Sequence, residues 1–113
     1  MITTHVLDTA RGVPAAGLEV ILELRHGSEW SPIGRATTDA GGRVEAFSDA
    51  ALAPLATGLY RLTFDTGTYH RDQGITAPFF PEVRIVFSVR DAGEHHHVPL
   101  LLSPFGYSTY RGT

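Results

Sequence analysis

The chain has 113 residues, and its 9 Lys and Arg against 12 Asp and Glu give a formal net charge of -3 at pH 7. This length allows one modest hydrophobic core, so we expect a single domain over residues 1–113. The mild negative charge disfavours nucleic acid as a partner, and the absence of cysteine excludes disulfides and thiol catalysis.

Short segments with a period of two dominate the chain. Apolar and polar residues alternate over residues 19–25, with Ile21 as the exception, and again over residues 60–65 and 83–90. This alternation, rich in β-branched and aromatic residues, predicts half-buried strands. Segments rich in Gly, Pro or Asp separate the strands and predict turns. They lie at residues 12–17, 26–28, 39–42 and 91–93.

Two stretches have the composition of short helices. Residues 48–53 begin with a capping serine, but Pro54 follows at once and would stop the helix. Residues 66–74 follow a predicted strand and can form one short helix. Many short strands, frequent turns and at most two short helices favour an all-β fold, a two-sheet sandwich.

The segment HVPLLL at residues 97–102 is unusual because both of its faces are apolar. One face would carry Val98, Leu100 and Leu102, and the other would carry His97, Pro99 and Leu101, whereas a sandwich strand normally shows one face to water. Either loops cover the second face, or that face meets another subunit. The aromatic, hydroxyl-rich tail at residues 104–110 is also expected to be docked, since solvated chain ends are usually more polar.

Histidines and arginines are the main candidates for chemistry. If residues 3–8 form a strand, His5 points to the same side as Leu7, and in the run HHH at residues 95–97 the first and third histidines share a face. Imidazole exchanges protons near neutral pH, and an arginine such as Arg43 can stabilise an oxyanion. The sequence has no Ser-His-Asp or Cys-His signature that would indicate a covalent nucleophile.

Each candidate has a plainer interpretation. His5 can be a structural histidine, Arg43 an ordinary surface arginine, and the histidine run the solvated end of a loop. A zinc site is a further alternative, because two histidines on one strand face suit zinc and His5 would be a third ligand. No cysteine or clear carboxylate completes such a set. His26 and His70 lie in polar or turn-like contexts and are assigned structural roles.

Several blocks closely resemble the 5-hydroxyisourate hydrolases, also called transthyretin-related proteins. They are TTHVLDT at residues 3–9, the Gly42-Arg43 pair, HHHVPLLLSP at residues 95–104 and GYSTYRGT at residues 106–113. The two terminal blocks are the specific part, because the transthyretin carriers lack the Tyr-Arg-Gly-Ser end and the catalytic histidines and arginine. Two positions depart from the family pattern: Thr113 replaces the usual Ser but keeps a hydroxyl, and His96 stands where Tyr is common.

The resemblance implies a transthyretin-like sandwich of two four-stranded sheets, with the one short helix at residues 66–74. It also implies a homotetramer, a dimer of dimers with active sites in the channel between the dimers. An apolar second face on residues 97–102 and a docked tail agree with such an assembly. Since His96 alternates with His97, its replacement of Tyr should leave the catalytic face unchanged.

The resemblance further implies hydrolysis of a cyclic amide-type C–N bond in 5-hydroxyisourate, during urate degradation and without a cofactor. The product would be 2-oxo-4-hydroxy-4-carboxy-5-ureidoimidazoline. His97, with His5, would deprotonate a water, and Arg43 would bind the ring and stabilise the oxyanion. The implied substrate-binding residues are in the tail: Ser108, Tyr110, Arg111, Gly112 and Thr113. Which histidine is the base stays open.

Other functions remain to be distinguished. A transthyretin-like channel can bind a small aromatic ligand without catalysis, since fold alone does not define function. A metal-dependent hydrolase built on the same residues would be inactivated by a chelator. A purely structural β-module would leave the terminal blocks unexplained. The sequence shows no secretory signal and no apolar run of the ~20 residues needed to span a bilayer, so a cytoplasmic protein with no membrane partner is expected.

Overall fold

The computed structural model describes residues 1–47 and 55–113, and the helix predicted at residues 48–53 lies outside them. The described parts contain nine strands and one helix. In chain order these are β1 (Ile2–Asp8), β2 (Val13–Pro14), β3 (Glu19–His26), β4 (Glu29–Thr37), β5 (Arg43–Val44), β6 (Gly58–Phe64), α1 (Thr66–Asp72), β7 (Val83–Val89), β8 (His96–Ser103) and β9 (Gly106–Thr109).

The strands form two sheets, as predicted. One sheet has the order β4-β3-β6-β7, and the other has the order β2-β1-β8-β9 with β5 also paired to β1. The first sheet has the expected four strands. The second has five, because the two-residue strands β2 and β5 pair with different parts of β1. Strands β1 and β8 are parallel, and every other described pair is antiparallel.

Alternate residues of both sheets fill the space between them. On β6, Tyr60, Leu62 and Phe64 are buried, while the residues between them are partly exposed. The same alternation places Val98, Leu100 and Leu102 of β8 in the core. Removing such side chains from water supplies most of the favourable free energy of folding, at about 25 cal/mol per Å² of apolar surface. The predicted alternation of β3, β6 and β7 is therefore confirmed as the pattern that builds the core.

Helix α1 confirms the prediction at residues 66–74. Asp65 caps its first turn by accepting a hydrogen bond from the Thr68 backbone N–H at 3.1 Å, and Gln73 ends the helix. Glycine is required at position 67, where an added Cβ would lie 2.8 Å from the carbonyl oxygen of Pro81. Within residues 1–47 and 55–113, no helix is long and apolar enough to cross a membrane.

Strand β8 is central, between β1 and β9, and its second face is partly covered. Pro99 is buried, while His97 and Leu101 are half-buried. The chain end provides part of this cover, since Gly112 forms a backbone bridge to His97 and Thr109 donates to the carbonyl of Pro99. The backbone of the tail is therefore paired with β8, but the aromatic side chains that predicted docking are exposed, Phe105 by 80% and Tyr110 by 56%. Leu101 remains partly exposed on that face.

A buried hydrogen bond joins strand β1 to helix α1. The carboxylate of Asp8, 3% exposed, accepts from the Tyr69 hydroxyl at 2.8 Å and from the Arg11 backbone N–H at 3.0 Å. Tyr69→Phe should lower the free energy of unfolding by about 1.5–3 kcal/mol, the usual value of a hydrogen bond to a charged group. Urea denaturation measures this loss. Tyr110→Phe, at an exposed tyrosine, is the control, and an equal change in both variants would contradict the prediction.

Candidate active site

Three neighbouring strands bring the predicted catalytic residues together. On one side of β1, His5 is paired with Arg43 of β5. On its other side, the parallel register with β8 places Thr3 beside His97. Residues two apart on a strand, and directly paired residues on adjacent strands, point to the same side of the sheet. His5, Arg43 and His97 therefore share the outer face of the five-stranded sheet.

A tight turn before β5 presents Arg43. The Asp39 side chain accepts from the backbone N–H groups of Gly41 and Arg43, both at 2.9 Å. Gly42 has a φ of +76°, and an added Cβ there would collide with the carbonyl oxygen of Val6. The Asp and Gly residues that predicted a turn thus have a second effect, because they bring the arginine against β1.

The turn also holds the ring of His5. Its Nε2 lies 2.9 Å from the carbonyl oxygen of Gly41. A carbonyl oxygen only accepts hydrogen bonds, so this contact assigns the proton of neutral His5 to Nε2. Its free lone pair is then on Nδ1, and the ring has a defined orientation on the site face.

The pKa of His97 is lower than that of an ordinary histidine. Burial lowers the pKa of its half-buried imidazole below the ordinary value of 6.5, and the charge of Arg43 lowers it further, as do His95 and His5 when they are protonated. Glu45 has the opposite effect on the pKa. His97 is therefore neutral at physiological pH and has a lone pair for accepting a proton, as a general base requires.

The lowered pKa also links His97 to stability. Below pH 6.5 the unfolded chain binds this proton more readily than the folded chain does. The free energy of unfolding should therefore fall as the pH drops through 6.5 and towards the folded pKa. Well above pH 6.5 the ring is neutral in both states and contributes no pH dependence.

The C-terminal tail crosses the ring of His97. The Gly112 N–H donates to the His97 carbonyl at 2.8 Å, and an added Cβ at Gly112 would lie 2.5 Å from Cδ2 of that ring. Any larger residue would require the imidazole or the tail to move. Glycine at this position thus allows the close approach of chain end and histidine.

The other predicted tail residues lie in different surroundings. Ser108 is paired with Leu101 and therefore lies on the same face of the sheet as His97. Thr113 is exposed. Tyr110 and Arg111 border a cavity of about 290 Å³ that His97 also borders, although His5 and Arg43 do not. The Arg111 guanidinium donates to the Glu94 carboxylate at 2.7 Å, an exposed ion pair. Its side chain is thus engaged with Glu94, while its backbone leads into Gly112.

Two further residues of the site were not assigned roles from sequence. The hydroxyl oxygen of Thr3, which is 2% exposed, lies 2.8 Å from Nδ1 of His97 and 2.7 Å from Nε2 of His95. The shared face of His95 and His97 was evident from strand alternation. Thr3 was not, because its place beside His97 depends on the parallel register of β1 and β8.

Of the remaining histidines, His96 and His26 lie as predicted, whereas the polar or turn-like context predicted for His70 was wrong. His96 is buried on the side of β8 opposite His97, His70 is buried in α1, and His26 is exposed at the end of β3. Over residues 1–47 and 55–113, no three His, Asp or Glu side chains converge as potential metal ligands. The zinc alternative therefore has no described ligand cluster in its favour.

A family model and a related protein of known name both match nearly the whole chain. A family model described as the HIUase/Transthyretin family matches residues 2–112. The 5-hydroxyisourate hydrolase 2 of Rhizobium meliloti is 46% identical over 115 residues, which cover 99% of this chain and 95% of that protein.

Solved structures show the same fold with two functions. The Klebsiella pneumoniae 5-hydroxyisourate hydrolase superimposes with a TM-score of 0.83 and 37% identity, covering 99% of this chain and 98% of that one. Sea bream transthyretin in complex with thyroxine superimposes with a TM-score of 0.87 and 31% identity, covering 99% and 94%. Since a hydrolase and a thyroxine-binding protein fit comparably well, the fold does not separate them and the site residues must.

Proposed function

This chain belongs to the HIUase/Transthyretin family, and from that premise we propose that it is an enzyme, a 5-hydroxyisourate hydrolase of urate degradation. The observation that carries the proposal is the face shared by His5, Arg43 and His97, with His97 neutral and next to a permanent cation. Relatives named 5-hydroxyisourate hydrolase, at 42% and 46% identity, support the choice of substrate.

His97 is the general base in this proposal. Its Nδ1 contacts Thr3, so Nε2 remains to take a proton from water. The resulting hydroxide attacks the carbonyl carbon of the cyclic amide-type bond in 5-hydroxyisourate. The C–N bond then breaks, the nitrogen takes the proton from Nε2 of His97, and the water oxygen remains in a new carboxylate, giving 2-oxo-4-hydroxy-4-carboxy-5-ureidoimidazoline.

Arg43 and His5 act on the substrate. The Arg43 guanidinium carries its charge at every relevant pH and stabilises the oxyanion that forms on the carbonyl oxygen. His5 donates from Nε2 to Gly41 and therefore offers Nδ1 as an acceptor, to a substrate N–H group or to the attacking water. No metal or other cofactor is required for these steps.

The C-terminal tail completes the proposed pocket. Gly112 crosses His97 and Thr113 follows it, and Arg111 contributes through its backbone. Ser108 lies on the outer face, and Tyr110 borders the cavity beside His97. Thr113 provides a hydroxyl at the pocket edge. A homotetramer, a dimer of dimers, would cover this face, and the partly exposed Leu7 and Leu101 support such an association.

A coupled ultraviolet assay tests the activity. Urate oxidase generates 5-hydroxyisourate in place, and its decay is followed with and without this protein. We expect decay well above the spontaneous rate, and no loss after dialysis against a chelator. Decay at the spontaneous rate from folded protein would refute the hydrolase and favour a binding protein. Activity that is lost on chelation and restored by metal would support the metal-dependent alternative.

The pH dependence tests the assignment of the base. Because protonated His97 cannot accept a proton from water, kcat/KM should fall in acid and follow the neutral fraction of the ring. The midpoint should lie below pH 6.5, since burial and Arg43 lower the pKa of His97. Rates from about pH 5 to about pH 8, corrected for spontaneous decay, measure it. A flat profile, or a midpoint above 6.5, would contradict the assignment.

Gly112→Ala tests the contact between the tail and the base. The new methyl group would meet the His97 ring at 2.5 Å and displace it. We expect kcat/KM to fall by about 10–10²-fold, because a misplacement of about 1 Å can cost that much. Gly93→Ala, in a turn outside the site, is the matched control in the same assay. Equal rates for the two variants would show that the contact has no catalytic importance.

A further inference from the structure

The hydroxyl of Thr3 lies between two imidazole rings. Its oxygen is 2.8 Å from Nδ1 of His97 and 2.7 Å from Nε2 of His95, and the ring centroids are 6.2 Å apart. Thr3 is buried and His97 is half-buried, whereas His95 is exposed. The three groups thus form a hydrogen-bonded row from the proposed base to solvent.

A threonine hydroxyl has one proton to donate and two lone pairs to accept with. In a row of two neutral rings it can therefore accept from one ring and donate to the other. If His97 donates from Nδ1, Thr3 donates to His95 and Nε2 of His97 is a free base. If the row is reversed, His97 carries its proton on Nε2 and is an acid instead.

We propose that Thr3 is a positioning residue that holds His97 with its proton on Nδ1, and that Thr3 and His95 together relay protons between His97 and solvent during the reaction. This inference rests on the proposed function for its chemical role. The attacking water gives one proton to Nε2 of His97, and the relay keeps the ring neutral by passing one proton on. The path runs outwards from His97 to the exposed ring of His95.

The proton transfer balances without any other reactant. His97 accepts a proton on Nε2 and gives its Nδ1 proton to Thr3, and Thr3 gives its own hydroxyl proton to Nε2 of His95. His95 then releases its Nδ1 proton to water, so one proton enters the row and one leaves it. His97 is left neutral with a proton on Nε2. When the C–N bond breaks, His97 gives that proton to the leaving nitrogen, and a proton from water enters at Nδ1 of His95 and passes back through Thr3 to restore the row. The carboxylic acid that forms loses its own proton to water.

The neighbouring threonine shows what a structural role looks like. Thr4 is equally buried on the same strand, and its hydroxyl donates to the backbone carbonyl of Val98 at 2.5 Å. Thr3 differs from Thr4 because its hydroxyl contacts two titratable rings and not a backbone carbonyl. The charged and titratable groups that face His97 in addition to His95 are Arg43 on β5, His5 on β1 and Glu45.

The first test is spectroscopic and needs no catalysis. ¹⁵N NMR of the histidine rings at neutral pH distinguishes a proton on Nδ1 from one on Nε2. Wild type and Thr4→Val should show His97 with its proton on Nδ1, and Thr3→Val should show a shift towards the Nε2 form. A wild-type ring already protonated on Nε2, or unchanged in Thr3→Val, would overturn the positioning role even if the enzyme is active.

The second test is kinetic. Thr3→Val should lower kcat by about 10-fold or more with little change in KM, because a general base contributes ~10²–10⁴-fold and its orientation is part of that effect. Thr3→Ser should restore the rate, whereas Thr4→Val should keep it. Failure of Ser to restore the rate, or an equal loss in Thr4→Val, would overturn the proposal.

His95→Phe tests the path to solvent. This variant should have a lower kcat in dilute buffer, and added imidazole should restore it by accepting the proton from Thr3. Loss without rescue, or no loss, would overturn the role of His95. If wild type itself does not hydrolyse 5-hydroxyisourate, the proposed function and this proton path fail together, and the NMR result still decides whether Thr3 positions His97.

Discussion

Replacing His97 with alanine should reduce kcat/KM for 5-hydroxyisourate by about 10²–10⁴-fold, the usual contribution of a general acid or base. The half-buried ring is neutral at physiological pH and is held by the buried hydroxyl of Thr3. Alanine removes the lone pair that would take the proton from water. It leaves the backbone hydrogen bond between Gly112 and the His97 carbonyl available, so the tail should remain docked.

The coupled ultraviolet assay measures this loss, and size-exclusion chromatography checks that the variant keeps the wild-type assembly. His26→Ala is the matched control, because His26 is exposed at the end of β3 and belongs to the other sheet. It should retain the wild-type rate. A rate in His97→Ala within a few-fold of His26→Ala would remove His97 from the mechanism.

Arg43→Ala should lower kcat/KM by about 10²–10³-fold, the effect of deleting one donor that stabilises an oxyanion. It should also change the pH profile in a defined direction. The charge of Arg43 lowers the pKa of His97, so its removal should move the acid midpoint to higher pH. Arg43→Lys keeps the charge and should keep the wild-type midpoint, while recovering only part of the rate because lysine lacks the planar guanidinium.

Arg84→Ala is the control for this variant, since Arg84 is an exposed arginine of β7 that pairs with Glu82. Its rate and midpoint should match those of wild type. A slow Arg43→Ala enzyme with an unchanged midpoint would mean that Arg43 binds substrate without influencing the base. A wild-type rate in Arg43→Ala would contradict the proposed oxyanion site.

These variants also separate a hydrolase from a carrier with the same fold. A thyroxine-binding relative and a hydrolase match this chain comparably well in overall shape. A protein that only bound a ligand would show no catalytic rate for these variants to change. Whether the protein is a hydrolase or a carrier is therefore decided by whether substitution of His5, Arg43 or His97 lowers a catalytic rate.

Much of the fold is predictable from local pattern. Alternation over residues 60–65 and 83–90 predicted β6 and β7, because a strand that is buried on one face needs apolar residues at every second position. Capping by Asp65 agrees with the predicted helix at residues 66–74. The sheet that holds the site was predicted to have four strands, and it has five. Two-residue strands such as β2 and β5 form through pairing with β1 and have no periodicity of their own.

The candidate site divides in the same way. Sequence blocks shared with the family identified His5, Arg43 and His97. Strand alternation predicted the shared face of His95 and His97. Only the tertiary structure placed Thr3 between those two rings and engaged Arg111 with Glu94. The parallel pairing of β1 with β8 joins residues more than ninety positions apart. Strand periodicity specifies which side a residue faces, but packing of the whole core decides which strand lies beside it and in which register.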